Sequence, residues 1–275
     1  MMQIGFFNEE QRLKLQGRTA MTVHEFGKEN KDAMLLIHPS MVKWDYFEYV
    51  IPLLEDRYHL IVPALPGYDF EQPGDFTSIE EIAEKLAAWC LEHGCPRLKA
   101  AYGCSMDGSI ALRMAVDCKV RIEHAVLDGA ITPYQLPWFL TRLILLRDFS
   151  MLAVGKLGGE KLIAKAFSTD DYSAEDMAYI AEVLHHCSYR TLWRTFDSCS
   201  NYKMPRPIPK PESQLHYWFA ENEEKARKWD IRYIKENIPN CMFRKIPGLG
   251  HGGLVTLKPQ LFADMLTDTM RSDAK

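Results

Sequence analysis

The chain has 275 residues, 47% of them hydrophobic, which is enough apolar surface for a substantial core and far from the disordered regime. That length fits one large α/β domain with an insertion, or two small domains. Lys+Arg 33 against Asp+Glu 37 leaves a formal net charge of -4, which argues against a nucleic-acid binder, whose affinity needs a clustered basic surface. The short basic run KARK at 225–228 is flanked by acids and reads as a solvated helix face. MMQIGFFNEEQRLK at the N-terminus has neither a basic region nor a sustained apolar one, so no signal peptide is expected. No stretch reaches the ~18 uninterrupted apolar residues of a membrane helix. The 7 cysteines lack C-x-x-C spacing and fit reduced thiols of a cytoplasmic protein. Cys104 reads as a small buried residue.

In chain order, AMTVHEF (20–26) alternates like a strand, GKENKD is a polar turn, and AMLLIH (33–38) is a continuous apolar run suited to a buried strand. DYFEYVIPLLEDR (45–57) has the pattern of an amphipathic helix that Pro52 confines or bends. YHLIVPAL (58–65) is the next strand. SIEEIAEKLAAWCLEHG (78–94) has a capping serine, early acids, helical periodicity and a terminal glycine. LKAAYG is a strand, MDGSIALRMAVD a helix and IEHAVLDGA (122–130) another strand. This alternation implies parallel βαβ units.

From about 132 to 212 the pattern is helical instead. SAEDMAYIAEVLHHC (173–187) opens with Ser173 and Asp176 in capping-box spacing. The prolines of KMPRPIPKPES (203–213) mark a semi-rigid linker. Alternation resumes with QLHYWFA (214–220) as a strand, EEKARKWDIRYIKEN (223–237) as a helix, CMFRKI (241–246) as a strand and PQLFADMLTDTMR (259–271) as a closing helix. The expected fold class is α/β, a mostly parallel central sheet flanked by helices. Its core domain spans 1–131 and 213–275, with a helical cap inserted at 132–212. An insertion between late strands lies at the carboxyl edge of the sheet, where open α/β folds bind ligands.

At that edge, GCSMDG (103–108) puts Ser105 between a strand and a helix. A serine there needs a base, an acid to orient the base and N–H donors for an oxyanion. The Met106 N–H lies at a helix N-terminus, next to the serine. Because Pro39 cannot donate, the Ser40 N–H is the second candidate donor. His251, in the glycine-rich loop PGLGHGG after the last apolar strand, is the candidate base. His185, His186 and His93 sit near helix ends, and His24, His59, His124 and His216 lie in strands, so all seven read as structural. The acid candidates are Glu221, Glu223, Glu224 and Asp128, with Glu223 the first choice because it stands just before a helix. Asp107, in the first turn of its helix, reads as a charge that complements the helix dipole, with a site-adjacent role as the alternative.

These segments resemble the α/β-hydrolase superfamily, in its serine-hydrolase branch with a helical cap. LLIHPSM stands where many members have His-Gly, and YHLIVPALPGYD is similar to their strand followed by D-x-P-G-x-G. YGCSMDG is similar to G-H-S-M-G-G, WFAENEE to G-x-x-D and IPGLGHGG to G-x-G-H. The resemblance covers nearly the whole chain outside the cap. It implies Ser105 as nucleophile, Glu223 as acid, His251 as base and the Ser40 and Met106 amides as oxyanion hole. Pro39, Asp107 and the glutamate acid depart from the family pattern. A serine nucleophile also separates the chain from the dehalogenase and epoxide-hydrolase branches, which use aspartate.

The expected activity is hydrolysis of a small-molecule ester, carboxylesterase-like, through an acyl-enzyme. The alternatives are thioester or C–C bond cleavage by the same triad, or a catalytically weak ligand-binding protein. Trp138, Phe139, Leu143, Leu145, Leu146, Phe149, Met151, Leu152 and Trp193 are expected mostly to pack the insertion, with some lining a pocket for an acyl or aromatic group. No metal or cofactor is expected, since H-E-x-x-H, G-x-G-x-x-G after a strand and G-x-x-x-x-G-K-[ST] do not occur. The expected partner is a small-molecule substrate, with no nucleic acid and no membrane, for a monomer or homodimer.

Overall fold

The computed structural model describes residues 21–134, 136–158 and 173–271. Its centre is a seven-stranded sheet: β1 (Val23–Phe26), β2 (Ala33–Ile37), β3 (His59–Pro63), β4 (Arg97–Cys104), β5 (Arg121–Asp128), β6 (Gln214–Ala220) and β7 (Met242–Ile246). The spatial order is β1-β3-β2-β4-β5-β6-β7. Only β1 runs antiparallel, against β3, and every other pairing is parallel.

Parallel strands need both faces covered, and the residues of β2 are buried throughout. Leu35 and Ile37 face one hydrophobic core, while Met34 and Leu36 face the other. The first core is completed by α2 (Ile79–Glu92), α3 (Gly108–Asp117) and α7 (Lys228–Asn237). The second is completed by α1 (Ile51–Leu54), α8 (Gly253–Leu257) and α9 (Pro259–Arg271). Helix α2 starts where its sequence says it should, because Ser78 Oγ accepts the Glu81 N–H at 3.1 Å.

Between β5 and β6 lie α4 (Trp138–Gly158), α5 (Ala174–His186) and α6 (Tyr189–Asn201). The Ser173–Asp176 capping box is present at the start of α5. Helix α6 buries Thr191 and Thr195 against the loop after β3: Phe76 N–H donates to Thr191 Oγ1 at 3.2 Å, and the Tyr68 and Thr195 hydroxyls are 2.9 Å apart. Helix α5 reaches the loop after β2 through Tyr179, whose hydroxyl accepts the Lys43 N–H at 2.8 Å and donates to Asp45.

Several expectations need correction. The helix read over 45–57 is a 3-10 turn at Trp44–Phe47 followed by the short α1, because Pro52 lacks an N–H and fits only a first helical turn. The helix read from 223 starts at Lys228, after a 3-10 turn at Glu221–Glu223. Helix α8, directly after the glycine-rich loop, was not expected. In the insertion, Leu145 and Leu152 are buried, but Trp138, Phe139, Leu143, Leu146 and Met151 are exposed, contrary to the reading of most of them as packing residues. No helix among the described residues is long and apolar enough to cross a membrane.

Gly67 takes φ +87, and a Cβ there would lie 2.4 Å from Thr191 Oγ1 and 2.8 Å from the Phe76 nitrogen. Gly94 takes φ +75 with open space around it, so its replacement isolates the cost of backbone strain. Gly67→Ala is expected to lower unfolding free energy by about 2 kcal/mol or more, and Gly94→Ala by about 1 kcal/mol. Urea denaturation of both variants checks the difference.

Candidate active site

Strand register places the parts side by side. Cys104 pairs with Asp128, Asp128 with Trp218 and Ala220 with Ile246. The segments that leave β4, β5, β6 and β7 therefore emerge together at the carboxyl edge of the sheet.

Ser105 leaves β4 with φ +59, a left-handed conformation that a non-glycine residue holds only when its surroundings impose it. Two glycines permit the tight turn. A Cβ on Gly103 would lie 2.7 Å from the Asp107 carbonyl oxygen, and one on Gly108 would lie 2.6 Å from Ala130 Cβ and 2.8 Å from the Gly103 oxygen. The close approach thus falls at 108, one position later than the family pattern places it, which explains how a side chain is accommodated at 107.

The nine histidines of the chain include one that meets Ser105. Its hydroxyl is 2.8 Å from His251 Nε2, and His251 Nδ1 is 2.5 Å from Glu223 Oε2. With the carboxylate holding the proton on Nδ1, Nε2 offers its lone pair to the serine O–H. The Ala220 N–H donates to Glu223 Oε1 at 2.8 Å. Burial alone would raise the Glu223 pKa. The His251 hydrogen bond and charge, the Ala220 N–H and the Arg227 charge outweigh it and hold the carboxyl below its ordinary value. Gly129, at φ +56, fits against this pair, since a Cβ there would lie 2.9 Å from Glu223 Oε2 and 3.0 Å from His251 Cε1. Tyr46 pins the histidine loop by donating to the Gly252 carbonyl at 2.8 Å.

The other acid candidates are not in this relay. Glu221 accepts the Gly248 N–H at 3.2 Å, and Glu224 is an exposed partner of Lys245. Asp128 is buried and accepts from the Tyr102 hydroxyl at 2.7 Å. Burial pushes its pKa up to about 6, with the Tyr102 hydrogen bond opposing and the Glu223 charge adding to the rise.

Asp107 stands at the N-terminus of α3, as read, but faces inward. It is 0% exposed, makes no capping hydrogen bond and accepts instead from Ser40 Oγ at 2.8 Å. Ser40 and Met106, the candidate oxyanion donors, therefore flank a carboxylate. The Ser40 loop is itself fixed by the fully buried His38, whose Nε2 accepts the Leu65 N–H at 3.1 Å. Burial lowers the His38 pKa to about 4, which keeps it a neutral acceptor.

The reading of residues 225–228 as a solvated face missed Arg227. Its guanidinium lies 3.8 Å from Glu223, 3.4 Å from Asp230 and 3.5 Å from the Gly129 carbonyl. Asp230 in turn accepts from the Thr132 N–H at 2.7 Å and its hydroxyl at 2.9 Å, just past β5. The signal lay in the helical spacing of 223, 227 and 230. Other histidines have local partners: His59 pairs with Glu25 at 2.8 Å, and His124 with His216 at 3.4 Å. Cys104 is buried, and the described residues hold no cluster of three or more His, Cys, Asp or Glu able to bind a metal.

A family model described as the alpha/beta hydrolase family matches residues 34–265. An uncharacterized hydrolase of Saccharomyces cerevisiae is 25% identical over 120 residues, 43% of this chain and 41% of that protein. The chain thus matches about two fifths of the length of this curated relative. A bromoperoxidase from Bacillus anthracis superposes with a TM-score of 0.76 at 17% identity, covering 94% of this chain and 98% of its own. A thermophilic esterase from Thermogutta terrifontis gives a TM-score of 0.70 at 17% identity, covering 91% and 94%. At these identities the likeness is one of fold.

Asp128 links the site to stability. Between about pH 4 and 6 the unfolded chain releases this proton while the folded chain keeps it, so stability falls as pH rises through that window. Asp128→Asn keeps an acceptor for Tyr102 and removes the charge. It is expected to match the parent at pH 4 and exceed it by about 1–3 kcal/mol at pH 8, as read by denaturant unfolding at each pH.

Proposed function

Because this chain belongs to the alpha/beta hydrolase family, we propose that it is a serine hydrolase that cleaves a small-molecule carboxylic ester through an acyl-enzyme. The observation that carries the reading is the continuous relay from Ser105 Oγ to His251 Nε2 at 2.8 Å and from His251 Nδ1 to Glu223 at 2.5 Å. An ester carbonyl placed over Ser105 is attacked by Oγ as its proton passes to Nε2. Glu223 stabilises the imidazolium that forms, and its low pKa keeps it ionised to do so. The Met106 and Ser40 N–H groups receive the carbonyl oxygen as it becomes an oxyanion. The imidazolium then protonates the departing alcohol. Water, deprotonated by His251, releases the acid and restores the serine.

The helices between β5 and β6 act in this reading as a cap over 132–212. Tyr179 and α6 tie the cap to the loops beside Ser105, which favours a substrate small enough to enter beneath it. The half-buried Phe149 and Trp193, with rings 5.3 Å apart, form an aromatic pair within this cap.

Fluorophosphonate labelling with peptide mapping tests the relay, alongside turnover of a p-nitrophenyl ester panel. Labelling is expected at Ser105 in the parent, to vanish in Ser105→Ala and to slow by about 10³-fold or more in His251→Ala. An unlabelled Ser105 in a folded protein that is thermally stabilised by small ligands would move the reading to a ligand-binding protein.

A further inference from the structure

We propose that Asp107 is a positioning residue that gates the Ser40 side of the oxyanion hole by taking up or releasing one proton. The proposal rests on the Ser105–His251–Glu223 reading above and adds a control that the relay alone does not contain.

The geometry is unusual for an acid in a first helical turn. Such a side chain ordinarily faces solvent and caps or complements the helix. Asp107 stands at the helix N-terminus but is turned inward and makes no capping hydrogen bond. Its side chain is 0% exposed, and Oδ2 takes the hydroxyl proton of Ser40, 67 positions away, at 2.8 Å. Its Oδ1 is buried with no hydrogen-bond partner. An ionised carboxylate with one oxygen unpaired in a dry site is unfavourable, whereas a carboxylic acid is tolerated there.

The titratable groups that face Asp107 do not supply a counter-charge. Tyr68, from the loop after β3, has its pKa pushed well above the ordinary value by burial, and burial takes the Cys199 thiol of α6 up to about 12. Both are neutral across the working range. Ser40, from the loop after β2, contributes only a hydroxyl and an N–H. Burial raises the Asp107 pKa to about 7, with the Ser40 hydroxyl and N–H pulling it back down. His251 is engaged with Glu223 and Ser105.

The two protonation states differ in what they offer a substrate. When ionised, Asp107 draws the Ser40 donors to itself and sets a negative charge beside the place where the substrate oxygen must become negative. When protonated, it is neutral and can donate to the Ser40 oxygen, which leaves the Ser40 N–H for the oxyanion. The proton comes from solvent and is not consumed in turnover. Ionisation of Asp107 limits the rate on the alkaline side. Losing one oxyanion donor typically costs about 10²–10³ in rate, so the gate is large enough to read.

The experiment is the pH profile of kcat/KM for a p-nitrophenyl ester, with fluorophosphonate labelling rates over the same range. It uses the full-length parent, Asp107→Asn and Ser40→Ala. The parent is expected to lose about tenfold or more between pH 7 and pH 9, and Asp107→Asn less than about twofold. In Ser40→Ala the alkaline fall should move to higher pH, because the hydroxyl that favours the ionised acid is gone. That arm holds even where Asp107→Asn does not fold. A parent labelled at Ser105 but flat from pH 7 to pH 9 would overturn the gate and leave the hydrolase reading standing. The same fall in Asp107→Asn as in the parent would do likewise. No labelling of Ser105 at any pH would overturn both.

Discussion

A single residue held at φ +59 at the end of β4 organises this molecule's carboxyl edge. A left-handed non-glycine turn is uphill by itself, so its surroundings must hold it. Those surroundings are extensive: the β4–β5 and β5–β6 pairings, the near-contact of Gly103 with Gly108, and the seating of Gly108 on Ala130. The Ile131 N–H also closes on the Ser105 carbonyl at 3.3 Å. The strain turns the Ser105 hydroxyl out of the strand and toward the loop that carries His251. The sheet therefore does more than support the site, because its register fixes the distance between hydroxyl and imidazole.

Three buried carboxyls within this small volume end up with different proton affinities. All are penalised by burial. Glu223 recovers because an imidazole, a main-chain N–H and a guanidinium converge on it. Asp128 has only the Tyr102 hydroxyl as a strong partner and lies near the Glu223 charge, so it is raised. Asp107 has Ser40 and one orphaned oxygen, and it is raised as well. One fold edge thus holds a permanent anion beside two carboxyls poised to be neutral in mildly acidic solution.

Much of the fold was legible, and for identifiable reasons. Buried parallel strands read as continuous apolar runs, so QLHYWFA coincides with β6, and the periodic PQLFADMLTDTMR coincides with α9. Ser105, Glu223 and His251 were legible as candidates because each follows a strand end, in an order the family shares. What stayed hidden depended on contacts distant in sequence. Whether Asp107 faces water or turns inward is decided by Ser40, and whether Arg227 is a surface charge is decided by Gly129 and Glu223. Helix α4 is apolar around much of its circumference, so its pattern carried no phase, and the exposure of Trp138 and Phe139 could not be read from it.

The Tyr179 hydroxyl accepts the Lys43 N–H across 136 positions, and this contact has a consequence for how the protein can change. Helix α5 lies in the insertion and packs Ile180, Ala181, Val183 and Leu184 into the core that Leu35 and Ile37 face. One of its side chains also holds the backbone three residues beyond Ser40. Drift in the insertion, by selection or by design, is therefore transmitted to the loop beside the reacting atoms. Substrate range and turnover in this scaffold are not independent traits. A library confined to α5 would sample both at once, and its variants would trade one against the other along a shared axis.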